Sequence, residues 1–265
     1  MKTNYAEINR SSPECGLGSS CALATMTKAP RAGEVKTRLV PPLTLREAAD
    51  LSSCLLRDTA ASMAQVAART AAVPIAVYAP AGSEKEYDVL LPQGFRLLSQ
   101  SSGSLGDRLY NATRELLAAG YSSVCLINSD SPTLPPERLE NAILALERPG
   151  DRIVLGPADD GGYYLIGLKY AHRRLFEEVE WSTERVLDQT MERVNELGVE
   201  IEMLPPWYDL DDARTLARAC QELLSPNQNG GYPAPRTREC LERLVRTHGR
   251  ERIWPVNETK CPEGI

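Results

Sequence analysis

Apolar residues fall into two alternating rhythms along this chain. Short runs rich in β-branched and aliphatic side chains read as strands: CALATM (21–26), VPIAVYAP (73–80), FRLLSQ (95–100), SVCLIN (123–128), RIVLGPA (152–158), YYLIGL (163–168) and VEIEMLP (199–205). Between them the period changes. Leu45, Ala48, Leu51, Leu55 and Leu56 recur at helical spacing within 44–70. Helices are also expected over 105–120, stopped by Gly120, and over 136–147, opened by proline. A further one spans 182–198, with Ser182 or Thr183 as its cap and Gly198 as its stop. ARTLARACQELL (213–224) follows the last strand as another.

Strand and helix alternating in this way predict an α/β domain, a Rossmann-like, mostly parallel sheet with helices on both faces. Ligands in such sheets lie beyond the carboxyl ends of the strands, so the loops that follow strands are the place to look for chemistry. Residues 1–19 are polar and read as a loose N-terminal arm, 20–224 as the domain. Residues 225–236, rich in Pro, Gly and Asn, read as a linker to a short basic helix (236–249) and a tail. That segment is expected to pack back on the domain or on a second subunit, which leaves a homodimer open.

Charge narrows the function. The 265 residues include 30 basic and 36 acidic ones, a net charge of −6, which argues against nucleic acid as a partner. Seven cysteines without CxxC spacing, and only two histidines, predict reduced thiols rather than a disulfide framework. The opening residues lack a signal-peptide core and no apolar run is long enough for a membrane span, so a cytoplasmic location is expected.

Four loops carry the candidate chemistry. After the first strand come Lys28, Lys36 and Arg38, with Gly33 for a bend and Thr37 for a hydroxyl. Cations so clustered on an acidic background suit phosphate oxygens. The pattern is neither a Walker loop nor a GxGxxG fingerprint. In LINSDSPTLPP, Asp130 stands at a strand's carboxyl end beside Ser129, a suitable place for a hard divalent cation. Asp159 and Asp160 precede two glycines between apolar runs, as a hairpin turn would require, and are candidate bases for a hydroxyl acceptor. In WYDLDDARTL, Asp209 and Asp211 alternate on one side of an extended chain, while Asp212 caps the next helix. Arg108 and Asn111, on the first turns of a helix, are placed to meet a base or ribose, and Trp181, Ser182 and Thr183 to border an acceptor.

Taken in order, KAPRAGEVKTRL, GSLGDRLYNA, LINSDSPTLP, LGPADDGGYYLIGL, WSTERVLDQT and YDLDD resemble the rSAM/selenodomain-associated transferase 1 family over roughly residues 20–224. The resemblance implies a GT-A, nucleotide-diphospho-sugar transferase fold and a glycosyltransferase. The motif order is also similar to that of the 2-phospholactate nucleotidyltransferases. By this resemblance Lys28, Lys36 and Arg38 hold nucleotide phosphates. Asp130 takes the DxD-like metal position, and Asp209 or Asp211 supplies the second carboxylate for Mg²⁺ or Mn²⁺. Asn128 stands where that motif usually has an acid. The expected partners are a nucleotide or nucleotide-sugar and a small-molecule acceptor. Glycosyl transfer from an NDP-sugar is the leading expectation; nucleotidyl transfer and non-catalytic nucleotide binding are the alternatives.

Overall fold

The computed structural model describes residues 5–8, 20–225 and 231–254. Its strands are β1 (Ala6–Glu7), β2 (Cys21–Lys28), β3 (Ala72–Ala79), β4 (Arg96–Ser99), β5 (Ser123–Ile127), β6 (Arg152–Pro157), β7 (Tyr163–Leu168) and β8 (Glu200–Met203). The helices are α1 (Leu45–Ala67), α2 (Leu105–Ala118), α3 (Pro136–Glu147), α4 (Val186–Leu197), α5 (Ala213–Leu224), α6 (Pro235–His248) and α7 (Arg250–Ile253). All eight strands form one sheet in the order β1-β4-β3-β2-β5-β7-β6-β8. Every pairing is parallel except those of β7, which runs antiparallel to both β5 and β6. The predicted α/β architecture is thus the observed one, and the Asp-Asp-Gly-Gly turn does close a hairpin.

The two faces of the sheet bury separate apolar layers. Leu23, Met63, Leu97, Ile143 and Tyr164 belong to one, while Ile75, Leu116, Leu126 and Ile166 belong to the other. Strands buried on both faces must be apolar at successive positions, which is why β2, β3 and β5 read as continuous runs rather than alternating ones. A third layer, with Leu39, Leu51, Leu55, Leu216, Leu241 and Leu244, joins α1, α5 and α6.

The sequence-based boundaries need two corrections, at the N-terminal arm and at the helix expected from 182. Residues 5–8 are not loose: Ala6 pairs with Arg96 and Glu7 with Leu97, and Tyr5 and Ile8 are buried. So short a strand carries too little pattern to be read from sequence. The helix expected from 182 begins at Val186, with no side-chain cap, because Ser182 adopts φ 66° and breaks the helical path. The C-terminal segment packs back on the domain: the main-chain N–H groups of Arg236 and Thr237 donate to the buried Asp58 of α1 at 3.1 and 2.7 Å. The core of the expected linker and the end of the tail lie outside the described residues.

Candidate active site

The chain crosses from β2 to β3 on one side and returns through β5 on the other, so the sheet's switch point lies beside β2. Beyond the carboxyl ends of these strands a cavity of about 360 Å³ opens. Lys28, Lys36, Thr37, Arg38, Arg108, Ser129, Asp130 and Asp211 all line it, so five separate stretches of sequence meet there. A second cavity of about 450 Å³ adjoins it and shares Met26, Arg38, Leu105 and Asp211. Asn128, Asp160, Asp209, Trp181, Ser182 and Thr183 line the second.

Lys36 ties these loops together. It adopts the left-handed conformation, φ 50°, ahead of a 3₁₀ turn at Thr37–Leu39, and this turns its side chain inward. The ammonium lies 2.8 Å from Asp130 Oδ1 and 2.5 Å from Asp211 Oδ1, and donates to Leu210 O at 2.8 Å. An ammonium has three protons, so all its donors are engaged. Only 5% of its side chain is exposed, against 31% for Asp130 and 40% for Asp211. Burial disfavours its charge, but the two carboxylates outweigh that and hold its pKa above the ordinary lysine value.

Asp209 belongs to the same knot from the other side. Its Oδ1 accepts from Asn128 Nδ2 at 2.7 Å and from Ser131 Oγ at 2.6 Å. Burial, with the charges of Asp130 and Asp160 adding to it, pushes its pKa up to about 7. Asp130 is raised too, by burial and then by Asp211, while Lys36 pulls it down. Asn128, at the motif's usual acid position, therefore holds Asp209 in place.

Among the described residues there is no group of three or more His, Cys, Asp or Glu arranged as a ready metal cage. The donor set nevertheless fits Mg²⁺ or Mn²⁺. Asp130 and Asp211 keep exposed carboxylate surface toward the cavity, and Mg²⁺ is commonly held by one or two carboxylates with water and substrate phosphate completing its shell.

Besides Lys36, the cations lining the first cavity are Lys28, Arg38 and Arg108; Lys28 donates to Glu34 O at 3.2 Å and lies 3.7 Å from the Glu34 carboxylate. Arg38 is exposed and has no hydrogen-bond or ion-pair partner among the described residues. Arg108 donates from Nη1 to Gln100 Oε1 at 3.1 Å, and its Nε is buried without a partner. Gln100 is clamped in turn, donating to Thr27 O and Val77 O at 2.9 Å each. Gln100 is the residue the sequence reading missed, and its place at the end of a predicted strand was the available signal. Three expected residues line neither cavity: Gly33 forms a turn at φ 82°, Asn111 donates to Ser101 Oγ at 3.0 Å, and Asp159 pairs with Arg218 at 2.5 Å.

Two glycines shape the wall of the second cavity. A Cβ at Gly106 would lie 2.7 Å from Trp181 Nε1 and from Phe176 O, and one at Gly161 would collide with the Glu184 backbone. The hairpin turn and α2 thus both press on the loop at 181–185.

A family model described as an uncharacterized protein conserved in bacteria (DUF2064) matches residues 62–183, a little under half of the chain. No curated protein matches it in sequence. Among solved structures, the fold is shared with a protein from Desulfovibrio desulfuricans G20 that carries the provisional assignment nucleotide-diphospho-sugar transferase. That protein is 28% identical, with a TM-score of 0.72, over 86% of this chain and 97% of its own. A looser likeness is to a cytidylyltransferase from Leptospira borgpetersenii, 9% identical with a TM-score of 0.49, over 89% of this chain and 97% of that one.

Proposed function

We propose that the protein is a metal-dependent, nucleotide-using transferase that moves a sugar from an NDP-sugar to a small acceptor. The observation that carries this is the first cavity. It lies at the sheet's switch point and is lined by Lys28, Arg38 and Arg108 together with Asp130 and Asp211. The resemblance of the six motifs and the name given to the Desulfovibrio relative support the same reading.

In this reading Lys28, Arg38 and Arg108 bind the phosphates and offset the negative charge that grows on the departing nucleoside diphosphate. A preorganised donor at such a position is worth roughly 3 kcal/mol of barrier. Lys36 positions Asp130 and Asp211. Asp130, with Asp209 or Asp211, would hold a divalent cation, which when bound supplies Lewis-acid neutralisation of the phosphate oxygens. Asp160 lines the second cavity and is the candidate to take the acceptor's hydroxyl proton. Asp159 faces Arg218 instead.

The cations around the first cavity favour a second reading, nucleotidyl transfer from an NTP with pyrophosphate release. The two are separated by incubating the protein and Mg²⁺ or Mn²⁺ with panels of NTPs and NDP-sugars. NDP release is the expected result. Pyrophosphate release would establish the second reading in its place, and silence with both panels would overturn both.

A further inference from the structure

The two adjoining cavities carry opposite charge. In the first, Lys28, Lys36, Arg38 and Arg108 outnumber Asp130 and Asp211, whereas the second has Asp160, Glu184, Asp209 and Asp211 and only the shared Arg38 as a cation. A metal bound as proposed above, by Asp130 with Asp209 or Asp211, would offset one of these carboxylates, and Lys36 already pairs with Asp211. Asp160 and Glu184 would still remain. Neither has an ion-pair partner among the described residues, although Asp160 Oδ1 accepts the Gly162 N–H at 3.0 Å; Arg185 pairs with Glu180 at 2.7 Å and Arg218 with Asp159 at 2.5 Å.

The rest of the second cavity is mostly apolar, with Asn128, Ser182 and Thr183 as its uncharged polar residues. Leu109, Leu126 and Ile166 contribute aliphatic surface, and Tyr163 and Trp181 add half-buried rings. Trp181 is fixed by contact with Phe176 at a centroid distance of 6.5 Å and by Tyr163, edge-on, at 6.5 Å. Gly106 sits directly against its indole nitrogen. A ring so held presents a constant surface to whatever enters.

We infer that the second cavity is the acceptor subsite, that it selects an uncharged, hydroxyl-bearing molecule with one apolar face, and that it rejects phosphorylated ones. Hydroxyls donate to the remaining carboxylate oxygens without any charge to bury, and an apolar face covers an aromatic ring. A phosphate dianion in the same place meets two unpaired carboxylates, a juxtaposition that excludes wrong partners by repulsion. This inference rests on the transferase reading for the word acceptor, but its selectivity is a property of the cavity alone.

The test is equilibrium binding of phenyl glycosides (gluco, galacto and manno) and of their 6-phosphates, followed by calorimetry and tryptophan fluorescence. At least one neutral glycoside should bind at least about tenfold more tightly than its phosphate. The Asp160→Asn, Glu184→Gln double variant should narrow that ratio several-fold, and Trp181→Phe should remove the fluorescence response. Equal or tighter binding of the phosphates, an unchanged ratio in the double variant, or no glycoside binding at all would overturn the inference. UDP, GDP, CDP and ADP are titrated in parallel. Nucleotide binding without the glycoside preference would sink this inference and leave the transferase reading standing; the glycoside preference without nucleotide binding would do the reverse.

Discussion

At the scale of single residues, Lys36 and Asp209 decide most. Lys36 offsets two carboxylates that otherwise repel one another, so Lys36→Met should destabilise the protein by about 2–3 kcal/mol, below the full cost of a buried unpaired ion because Asp130 and Asp211 keep some solvent. The same variant should gain more thermal stability from added Mg²⁺ than the parent does, since the cation would then be the only positive charge between the two aspartates. A Mg²⁺ response equal to the parent's in differential scanning fluorimetry would refute that role. Asp209 sets a pH dependence. Its folded pKa of about 7 lies above its unfolded value, so it favours folding fully below pH about 4 and loses that contribution as pH climbs toward 7. Without metal, the parent's unfolding free energy relative to Asp209→Asn should therefore fall across that window, by an amount on the order of a few kcal/mol. Divalent-cation affinity should rise over the same range, as the carboxylate gives up its proton. A flat difference curve would show that the shift is absent.

At the scale of elements, α6 is held by α1. Its first turn has no cap of its own, and Asp58 from α1 accepts its leading N–H groups instead. Burial raises the Asp58 pKa, while the Thr237 and Arg236 bonds partly offset it. His248, at the other end of α6, meets Glu47 of α1, whose own side chain completes a capping box with Thr44. Both ends of α6 thus seal the helix that follows the Lys36 turn. Asp58→Ala should cost about 1–3 kcal/mol and open 231–236 to limited proteolysis, with α6 the first element released. Protease resistance equal to the parent's would place the anchor elsewhere. The periodicity of 236–249 was legible in the sequence, but its docking site was not, because a cap supplied from 178 positions away leaves no local mark.

At the scale of the whole molecule, the candidate site is a knot of three loops from β2, β5 and the segment after β8. Lys36 Nζ bonds Asp130 and Asp211, Leu210 N donates to Asp130 O at 2.9 Å, and Asp209 joins Asn128 to Ser131. Loops coupled in this way should respond as a unit. In hydrogen exchange, a bound nucleoside diphosphate should slow 28–39, 128–131 and 209–212 together, and protection confined to one of them would contradict the coupling. No described helix is long and apolar enough to cross a membrane.

The sequence by itself determined the alternation of strands and helices, the mostly parallel sheet, and the loops in which charge would gather. Those properties are local: period, turn residues and the side chains at a strand's end. It also singled out Lys28, Arg38, Asp130 and Asp211, which the structure brings to one cavity. Only the tertiary structure decided what each does. Lys36, expected to grip phosphate, has its protons engaged by two aspartates; Asp159 faces an arginine on α5, and Asp160, one position on, faces the cavity. A side chain's partner is set by which strands the sheet brings side by side, and that is a property of distance in space, which a linear order of residues does not contain.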